Sequence, residues 1–183
     1  MTDHLRTPHV RDSSLVLRPW LPGDLEVVLD VYRDPAIRAG SRVPVTDEAA
    51  AVRWLRLQEE GRESGLRHSF AVVDTALGEL PVGNVALVHP APGSDSAEVG
   101  YWTAARARGR GIAPQALGAL TAWAFAAFAG DGLVRLDLIH QVGNDASCRV
   151  ADKAGYGFAE VLPARPPWPL EGHRHERRAA GGR

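Results

Sequence analysis

The chain has 183 residues, of which 45% are hydrophobic and 23% are charged, and its formal net charge is −1. These are ordinary values for a globular protein, and the length suits one domain with a sizeable core. The near-neutral charge gives no bulk attraction to nucleic acid or to a membrane surface, so we expect neither as a partner. The sequence has one cysteine, Cys148, and no apolar run of signal-peptide or membrane-span length. We therefore expect a cytoplasmic protein without an internal disulfide or a metal site.

The first half of the chain predicts a strand, two helices and a hairpin. Residues 1–13 are polar and are expected to be flexible. The segments after them show strand alternation, helical spacing of apolar residues, or turn residues. In order, they are a strand over 15–20, a helix that ends before Pro35, a loop over 38–44, a helix over 46–63 with Thr46 as its N-cap, strands over 68–73 and 82–88, and a loop over 89–96.

The most informative stretch runs from Glu98 to Phe128. It begins with the strand-like EVGYW, passes through the basic turn RARGRGIA, and continues as a long helix from Ile112. The helix carries apolar residues at spacings that place them on one face. These residues are Ala113, Leu117, Leu120, Ala124 and Phe128.

The turn from Arg108 to Ala113 is suited to bind a phosphate group. Its N–H groups and the first free N–H groups of the helix converge on one point, where the helix dipole adds partial positive charge. Gly109 and Gly111 let the backbone close tightly and approach a ligand without a Cβ in the way. The stretch lacks both the P-loop pattern and G-x-G-x-x-G. A simpler interpretation also stays open, in which the turn is only a soluble connection before a core helix.

The rest of the chain predicts three more strands and one short helix. In order, they are a buried strand over 133–140, a helix over 147–154 closed by Gly155, a strand over 156–161, a stiff loop with four prolines over 163–169, a final edge strand over 173–178, and a disordered tail over 179–183. The whole order is β-α-α-β-β-β-α-β-α-β-β. A mixed sheet with helices on both faces is the natural packing for it.

A second motif follows the basic turn after one helix and one strand. It reads N-D-A-S-C-R-V-A-D-K-A-G-Y, from Asn144 to Tyr156. Each residue also has a simpler interpretation. Asn144 is then a turn or cap residue, Ser147 is an N-cap, and Lys153 belongs to an ordinary helix end.

In this order, the two motifs resemble those of the GNAT acetyltransferase superfamily. R-x-x-G-x-A, from Arg108 to Ala113, is similar to its acyl-CoA pyrophosphate loop, and the segment from Asn144 to Tyr156 is similar to its N-x-x-S-x-x-V/L-x-x-K-x-G-F/Y helix. The lead-in A-E-V-G-Y-W resembles the RimJ/RimL-type branch, which acetylates protein N-terminal amines and related small amines. The resemblance implies an α/β GNAT fold over residues 14–178, with helices on both faces of a mixed, mostly antiparallel sheet of about six to seven strands.

The resemblance also implies acetyl-CoA as the cofactor and a small-molecule or peptide amine as the substrate. The backbone N–H of Trp102 or Thr103 is expected to donate to the thioester carbonyl. The residues assigned to the cofactor are Trp102, Thr103, Arg108, Gly109, Arg110, Gly111, Ile112, Ala113, Asn144, Ser147 and Lys153. A site for a different nucleotide phosphate at this turn stays open as an alternative.

Glu98 and Ser147 are the candidate catalytic residues. Glu98 lies two residues before Gly100 and shares a strand face with it, so its carboxylate is placed to accept the amine proton, directly or through water. The alternative is a solvated glutamate at a strand end. Many members of the superfamily carry a tyrosine as thiolate acid seven residues after the asparagine, but this chain has Ala151 there. That departure leaves Ser147, as in RimJ/RimL-type enzymes, or a water molecule.

Other assignments carry less weight. Ala151 leaves open a CoA-binding regulatory or catalytically weak module. Cys148 as a covalent nucleophile is weak, because no histidine is close in sequence and the family transfers the acetyl group directly. His68, His89 and His140 each lie at a predicted strand end, where an exposed or structural histidine is the commoner outcome.

The amine site is the least readable part of the sequence. Its candidate residues are Trp20, Tyr32, Arg33, Arg42 and the 163–169 loop with Trp168. The aromatic residues among them are equally compatible with a core or rim position. The two edges of the predicted sheet leave a homodimer open.

Overall fold

The computed structural model describes residues 7–10, 13–41, 43, 45–88, 93–165 and 169–180. Several expectations concern positions outside these ranges. They are the assignments of Arg42, His89 and Trp168, parts of the predicted loops over 89–96 and 163–169, and parts of the two termini that were expected to be flexible.

Within the described residues, the chain forms seven β-strands, five α-helices and three short 3₁₀ turns. The strands are β1 (Leu15–Pro19), β2 (Arg67–Asp74), β3 (Pro81–Val88), β4 (Ser96–Thr103), β5 (Arg135–Gln141), β6 (Gly157–Leu162) and β7 (Gly172–Arg178). The helices are α1 (Leu25–Val31), α2 (Pro35–Gly40), α3 (Glu48–Ser64), α4 (Ile112–Ala127) and α5 (Asp145–Lys153). The 3₁₀ turns are Pro22–Asp24, Ala105–Ala107 and Ala129–Asp131.

The strands form one sheet in the order β1-β2-β3-β4-β5-β7-β6. Every neighbouring pair is antiparallel except β4 and β5, which are parallel. This confirms the predicted mixed, mostly antiparallel sheet. The prediction that the last strand lies at the edge is wrong, because β7 inserts between β5 and β6 and pairs with both. The edge is β6, whose first five residues are exposed.

The helices lie on both faces of the sheet, as predicted. The larger core lies between the sheet and the helices α4 and α5, and it includes Leu117 and Leu120, both fully buried. The smaller core lies between the sheet and α1 to α3, and it includes Trp20 and Trp54. The strand residues in this smaller core come from the β1–β4 half of the sheet. On the same face of the other half, the strands carry a network of charged side chains centred on Arg174.

One short helix, α2, was missed because Pro35 was interpreted only as a stop signal. The Asp34 carboxylate accepts the Ala36 N–H at 2.9 Å, so Asp34 is the N-cap of a new helix. Pro35 then takes the first helical position, where its missing N–H leaves no hydrogen bond unmade. The prediction of a loop from residue 38 onward is therefore wrong for the end of α2.

The N-cap of α3 is Asp47 rather than the predicted Thr46. The Asp47 carboxylate accepts the Ala50 N–H at 2.7 Å. An aspartate at this position also places negative charge at the positive end of the helix dipole, an advantage that a threonine hydroxyl lacks. The predicted end of this helix agrees with the structure to within one residue.

Two further observations concern the termini and the membrane. Pro8 is buried and Val10 packs against the larger core, so this part of the segment expected to be flexible is docked on the domain. Among the described helices, not one combines the length and the apolar character that crossing a membrane requires.

Candidate functional site

The parallel strands β4 and β5 are paired along only part of their length. Their ladder ends at Val99 and Leu138, although β4 continues to Thr103 and β5 continues to Gln141. A gap therefore opens between the two strands beyond this point. Peptide groups that line such a gap lose their partners in the sheet and are available to an extended ligand.

The backbone groups that face the gap belong to Tyr101 and Thr103. Ala104 donates its N–H to the Val82 carbonyl at 2.9 Å. This hydrogen bond shows which peptide groups of β4 point toward β3. Because hydrogen-bonded pairs alternate along an antiparallel ladder, the peptide groups of Trp102 also bond to β3, and those of Tyr101 and Thr103 point the other way. Of the two residues expected to donate to a thioester carbonyl, it is Thr103 that directs its N–H toward the gap.

The basic turn after β4 enters α4 with uncapped N–H groups. Gly109 and Gly111 have φ angles of 77° and 74°, in the left-handed region that favours glycine. Gly111 directly precedes Ile112, the first residue of α4, and no side chain caps this helix start. The turn thus presents free N–H groups at the positive end of a helix, which is the arrangement that binds phosphate groups.

Arg108 fastens this turn to its neighbours. Its Nε donates to the Thr103 carbonyl at 3.1 Å, and its terminal nitrogen pairs with the Asp34 carboxylate. The hydrogen bond from Ala36 is the main cause that lowers the pKa of Asp34, and Arg108 adds to the effect. Arg110, by contrast, is exposed. Arg108 therefore shapes the turn, whereas Arg110 contributes charge at its surface.

A pair of hydroxyl groups spans the gap from β4 to α5. The Asn144 side chain accepts the Ser147 N–H at 3.2 Å and so caps α5, as its simpler interpretation predicted. Ser147 Oγ lies 2.9 Å from the Tyr101 hydroxyl. Burial is the main cause that raises the pKa of Tyr101 above its ordinary value of 10.0. The phenol therefore keeps its proton at neutral pH, and the pair can pass a proton to a neighbouring group.

Glu98 lies where the gap begins, on the sheet face opposite α4 and α5. Its neighbour in the β5 register is Asp137. Asp137 pairs with Arg174 at 2.9 Å, and Arg174 also pairs with Glu160 and Glu176. Arg135 and Arg178 also pair with Asp137 and Glu176, respectively, so the face beside Glu98 carries a network of paired charges that offers polar partners to a ligand.

Three of the residues assigned to the cofactor do not direct their side chains into the gap. Lys153 is exposed at the last position of α5, roughly 13 Å along the helix axis from Asn144. Ile112 is buried in the larger core, so its backbone alone can face a ligand. Trp102 packs beside Trp20, with ring centroids 5.8 Å apart. Their roles as cofactor residues stay predictions.

Two of the expected amine-site aromatics belong to the smaller core. Trp20 is 9% exposed and Tyr32 is 3% exposed. The Trp20 Nε1 donates to the Asn84 Oδ1 at 2.9 Å, which satisfies its only polar atom. Arg33 extends into solvent with 79% of its side chain exposed, where it pairs with Asp30. The structure therefore favours the core interpretation for both aromatic rings.

A cluster that the sequence interpretation missed lies beside Ser147. Cys148 Sγ is 3.6 Å from His140 Nε2 and 3.5 Å from His173 Nδ1. No histidine is close to Cys148 in sequence, but the fold places two histidines beside it. A sequence signal was available, because His173 and His175 are two residues apart in a strand and must share a face.

A family model described as the acetyltransferase (GNAT) domain matches residues 14–157. The chain belongs to the GNAT acetyltransferase family. The predicted family, fold and enzyme class are thereby confirmed: the chain is an N-acetyltransferase by family. No curated protein sequence matches the chain.

Solved structures share the fold at low sequence identity. RimL, a ribosomal L7/L12 alpha-N-protein acetyltransferase in complex with coenzyme A, has a TM-score of 0.79 and 19% identity over 94% of this chain and 98% of that chain. Mycobacterium smegmatis RimJ in complex with CoA-disulfide has a TM-score of 0.77 and 18% identity over 90% and 82%. Vibrio cholerae spermidine N-acetyltransferase in complex with CoA and spermine has a TM-score of 0.74 and 18% identity over 90% and 95%. The similar structures thus include members of the branch that the A-E-V-G-Y-W lead-in resembles.

Proposed function

We propose that this acetyltransferase moves the acetyl group of acetyl-CoA directly onto a primary amine, without a covalent enzyme intermediate. The acceptor is a protein N-terminus or a small-molecule amine, and both substrates are bound when the transfer occurs. The observation that carries this proposal is the gap between β4 and β5, which leads directly into the uncapped turn at the start of α4.

The gap and the turn suit two different parts of the cofactor. The diphosphate binds the N–H groups of the turn from Arg108 to Ala113, where the α4 dipole adds positive charge. The pantetheine arm has amide groups, and the gap-facing Tyr101 carbonyl and Thr103 N–H are matched to them. In this arrangement the thioester lies toward the narrow end of the gap, near Glu98 and the Tyr101–Ser147 pair.

Acetyl transfer at this point requires a base, an oxyanion donor and an acid. Glu98, directly or through water, accepts the proton that the amine loses as its nitrogen attacks the carbonyl carbon. Thr103 lies roughly 16 Å further along β4 than Glu98. The Tyr101 N–H, which also faces the gap and is nearer to Glu98, therefore stabilises the negative charge that develops on the carbonyl oxygen. The carbon–sulfur bond then breaks, and Ser147 donates a proton to the departing thiolate while the Tyr101 hydroxyl replenishes it. Solvent returns a proton to Tyr101 and takes up the amine proton from Glu98, so the protons balance, and no cofactor other than acetyl-CoA is needed.

The charged face beside Glu98 offers polar partners to a polar acceptor. Its carboxylates, those of Asp137, Glu160 and Glu176, are paired with arginines, so the face contributes hydrogen-bonding groups rather than net negative charge. A protonated amine must still lose a proton before it can attack. RimL acts on a ribosomal protein and the spermidine enzyme acts on a polyamine. The charge pattern is compatible with both kinds of acceptor.

Release of free thiol from acetyl-CoA tests the proposal. The purified protein is incubated with acetyl-CoA and an amine panel of N-terminal peptides, polyamines and aminoglycosides, and the new thiol is titrated. We expect release with at least one amine and acetylation of that amine by mass spectrometry. Binding of CoA without thiol release across the whole panel would contradict catalysis.

A second candidate function is a CoA-binding module with little turnover. It is favoured by Ala151, which is fully buried on α5 and cannot supply the phenol that many relatives use as an acid. Calorimetry separates the two functions. Tight CoA binding with no thiol release supports the module, whereas activity that is lost in Glu98→Gln with CoA affinity retained supports the enzyme.

A further inference from the structure

Four side chains that ligate metals converge between the sheet and α5. His140, Cys148, His173 and His175 each offer one ligand atom, and these atoms all lie within 4.8 Å of one another. Three of them are partly exposed and His175 is buried. None of the four takes part in the acetyl-transfer chemistry proposed above.

The fold brings these residues together from three separate elements. His140 is near the end of β5, and the antiparallel register places His173 of β7 directly beside it. His175 lies two residues further along β7, beside Leu138, so its side chain is on the same sheet face. Cys148 comes from the first turns of α5, which packs over that face. The cluster is thus enclosed between two strands and a helix.

Two of the distances within the cluster fit a tetrahedral zinc site. With zinc–sulfur and zinc–nitrogen bonds of about 2.3 and 2.05 Å, a tetrahedral angle separates the sulfur and nitrogen ligands by about 3.6 Å. Cys148 Sγ lies 3.6 Å from His140 Nε2 and 3.5 Å from His173 Nδ1. Both separations are within the range of a thiol–imidazole hydrogen bond, and both also agree with a metal-centred geometry.

The hydrogen bonds around the cluster support the same interpretation. His140 Nδ1 lies 3.0 Å from the Gln141 carbonyl, so it carries the proton and leaves the Nε2 lone pair directed at the cluster. A backbone carbonyl on the second ring nitrogen is the usual partner of a metal-bound histidine. His175 is 2% exposed, and neither of its ring nitrogens has a hydrogen-bond partner among the described residues. A buried imidazole that lacks such a partner needs another ligand to compensate it.

We propose that this cluster binds one zinc-type transition metal ion through three imidazoles and one thiolate. Four protein ligands fill a tetrahedral shell, so the site is closed and structural rather than hydrolytic. The ion joins β5, β7 and the start of α5, and so fixes the helix that positions Ser147. Thiolate and imidazole ligands favour zinc and similar ions over Mg²⁺ and Ca²⁺, which prefer oxygen. This proposal departs from the expectation from the sequence that the chain holds no metal site.

Titration with Co²⁺ tests the site without reference to acetylation. The full chain, freed of any affinity tag and stripped with a chelator, is titrated with CoCl₂ and then with ZnCl₂. We expect about one Co²⁺ per chain, the strong visible bands of tetrahedral cobalt, and a thiolate-to-cobalt charge-transfer band. Zn²⁺ should displace the colour and raise the melting temperature, because it binds the folded state. A titration without tetrahedral bands, or without saturation near one ion per chain, would overturn the proposal.

Three variants distinguish this cluster from incidental binding. Cys148→Ser should abolish the charge-transfer band, and His173→Ala, at a partly exposed position, should weaken affinity at least about 10- to 100-fold, a loss already typical of outer-shell partners. His9→Ala changes an exposed histidine away from the cluster and should leave binding unchanged. Unaltered cobalt spectra in both cluster variants would refute the site, as would a loss of binding in the His9 variant.

Alkylation provides an independent test, because Cys148 is the only cysteine in the chain. Every adduct formed by iodoacetamide therefore reports on this residue alone. We expect the zinc-loaded protein to react at least about tenfold more slowly than the stripped protein, since the coordinated thiolate is shielded. Equal rates with and without zinc would count against coordination and would instead fit a free thiol beside His140.

Discussion

The two ends of the gap between β4 and β5 are built in different ways. The turn from Arg108 to Ala113 consists of six consecutive residues, and its useful groups are backbone N–H donors. The narrow end combines the side chains of Glu98, Tyr101 and Ser147, which come from one strand and a distant helix. The first region depends on local conformation and the second on the sheet register and helix packing.

This difference determines how each region responds to substitution. At the turn, a side chain can be removed with little loss, but an added Cβ disturbs the backbone that does the binding. At the narrow end, the exchange of a single functional group removes a proton acceptor or donor while the backbone stays the same. Cofactor affinity and turnover should therefore be affected separately, and variants at each end can test that separation.

The largest effect is expected for Glu98→Gln. Loss of a general base typically lowers the rate by about 10²- to 10⁴-fold, and we expect kcat to fall in this range. CoA affinity by calorimetry should be unchanged, because the glutamine keeps the shape of the side chain. Glu79→Gln, at an exposed position between β2 and β3, is the matched control and should behave as wild type. Equal kcat in the Glu98 variant would remove this residue from the mechanism.

Ser147→Ala is expected to lower kcat by about 10²-fold, at the low end of acid–base effects because water can take the place of the serine hydroxyl.

Tyr101→Phe should lower kcat by a smaller factor than Ser147→Ala, since it removes only the group that replenishes the serine proton. The raised pKa of Tyr101 means that its phenol stays protonated throughout the neutral range. The Tyr101 variant should therefore keep the alkaline limb of the pH–rate profile of the wild type. Loss of that limb in the phenylalanine variant would show that Tyr101 titrates during turnover.

The two ends of the gap also differ in how much of them the sequence predicts. The conformation of the turn was predicted with its residues, because strand, turn and helix are contiguous and each has a local signal, and its phosphate role stays a prediction. The Tyr101–Ser147 pair was not predicted, because it depends on where α5 packs against β4. The helix α2 was missed for a local reason, since Asp34 and Pro35 were interpreted as an end rather than as a start.

Long-range pairing accounts for the other errors. The prediction that residues 173–178 form an edge strand was wrong, because no local pattern indicates that β7 inserts between β5 and β6. That insertion also brings His173 and His175 close to His140. The histidine–cysteine cluster therefore could not be predicted without knowing the strand order. The alternation of the two histidines was visible in the sequence, but their partners came from elements that only the sheet order brings near.

Gly111→Val tests the backbone character of the turn. Gly111 has a φ of 74°, and a β-branched residue is strained there. We expect CoA affinity to fall about tenfold or more by calorimetry, through a distorted N–H array and a side chain in the path of the ligand. kcat at saturating acetyl-CoA should change much less.

Gly118→Ala serves as the control for this substitution. Gly118 lies within α4, and a Cβ built there meets nothing within 4 Å. The alanine should leave CoA affinity unchanged and stabilise the protein by roughly 0.5–1 kcal/mol in a urea titration. A folded Gly111→Val variant with wild-type CoA affinity would mean that the turn does not bind through its backbone.

The smallest effects on CoA affinity are expected for the arginines of the turn. They separate the contribution of the turn's conformation from that of its charge. Arg108→Ala removes the hydrogen bond to the Thr103 carbonyl and the pairing with Asp34, whereas Arg110→Ala removes an exposed charge. Each should weaken CoA binding by about two- to fivefold, as expected for surface ionic groups. The salt dependence should separate them. The loss at Arg110 should vanish in high salt because the charge is screened, and the loss at Arg108 should persist because the turn has lost a structural tie. If both losses vanished together, Arg108 would act through its charge, and the turn would depend on side chains more than its uncapped backbone suggests.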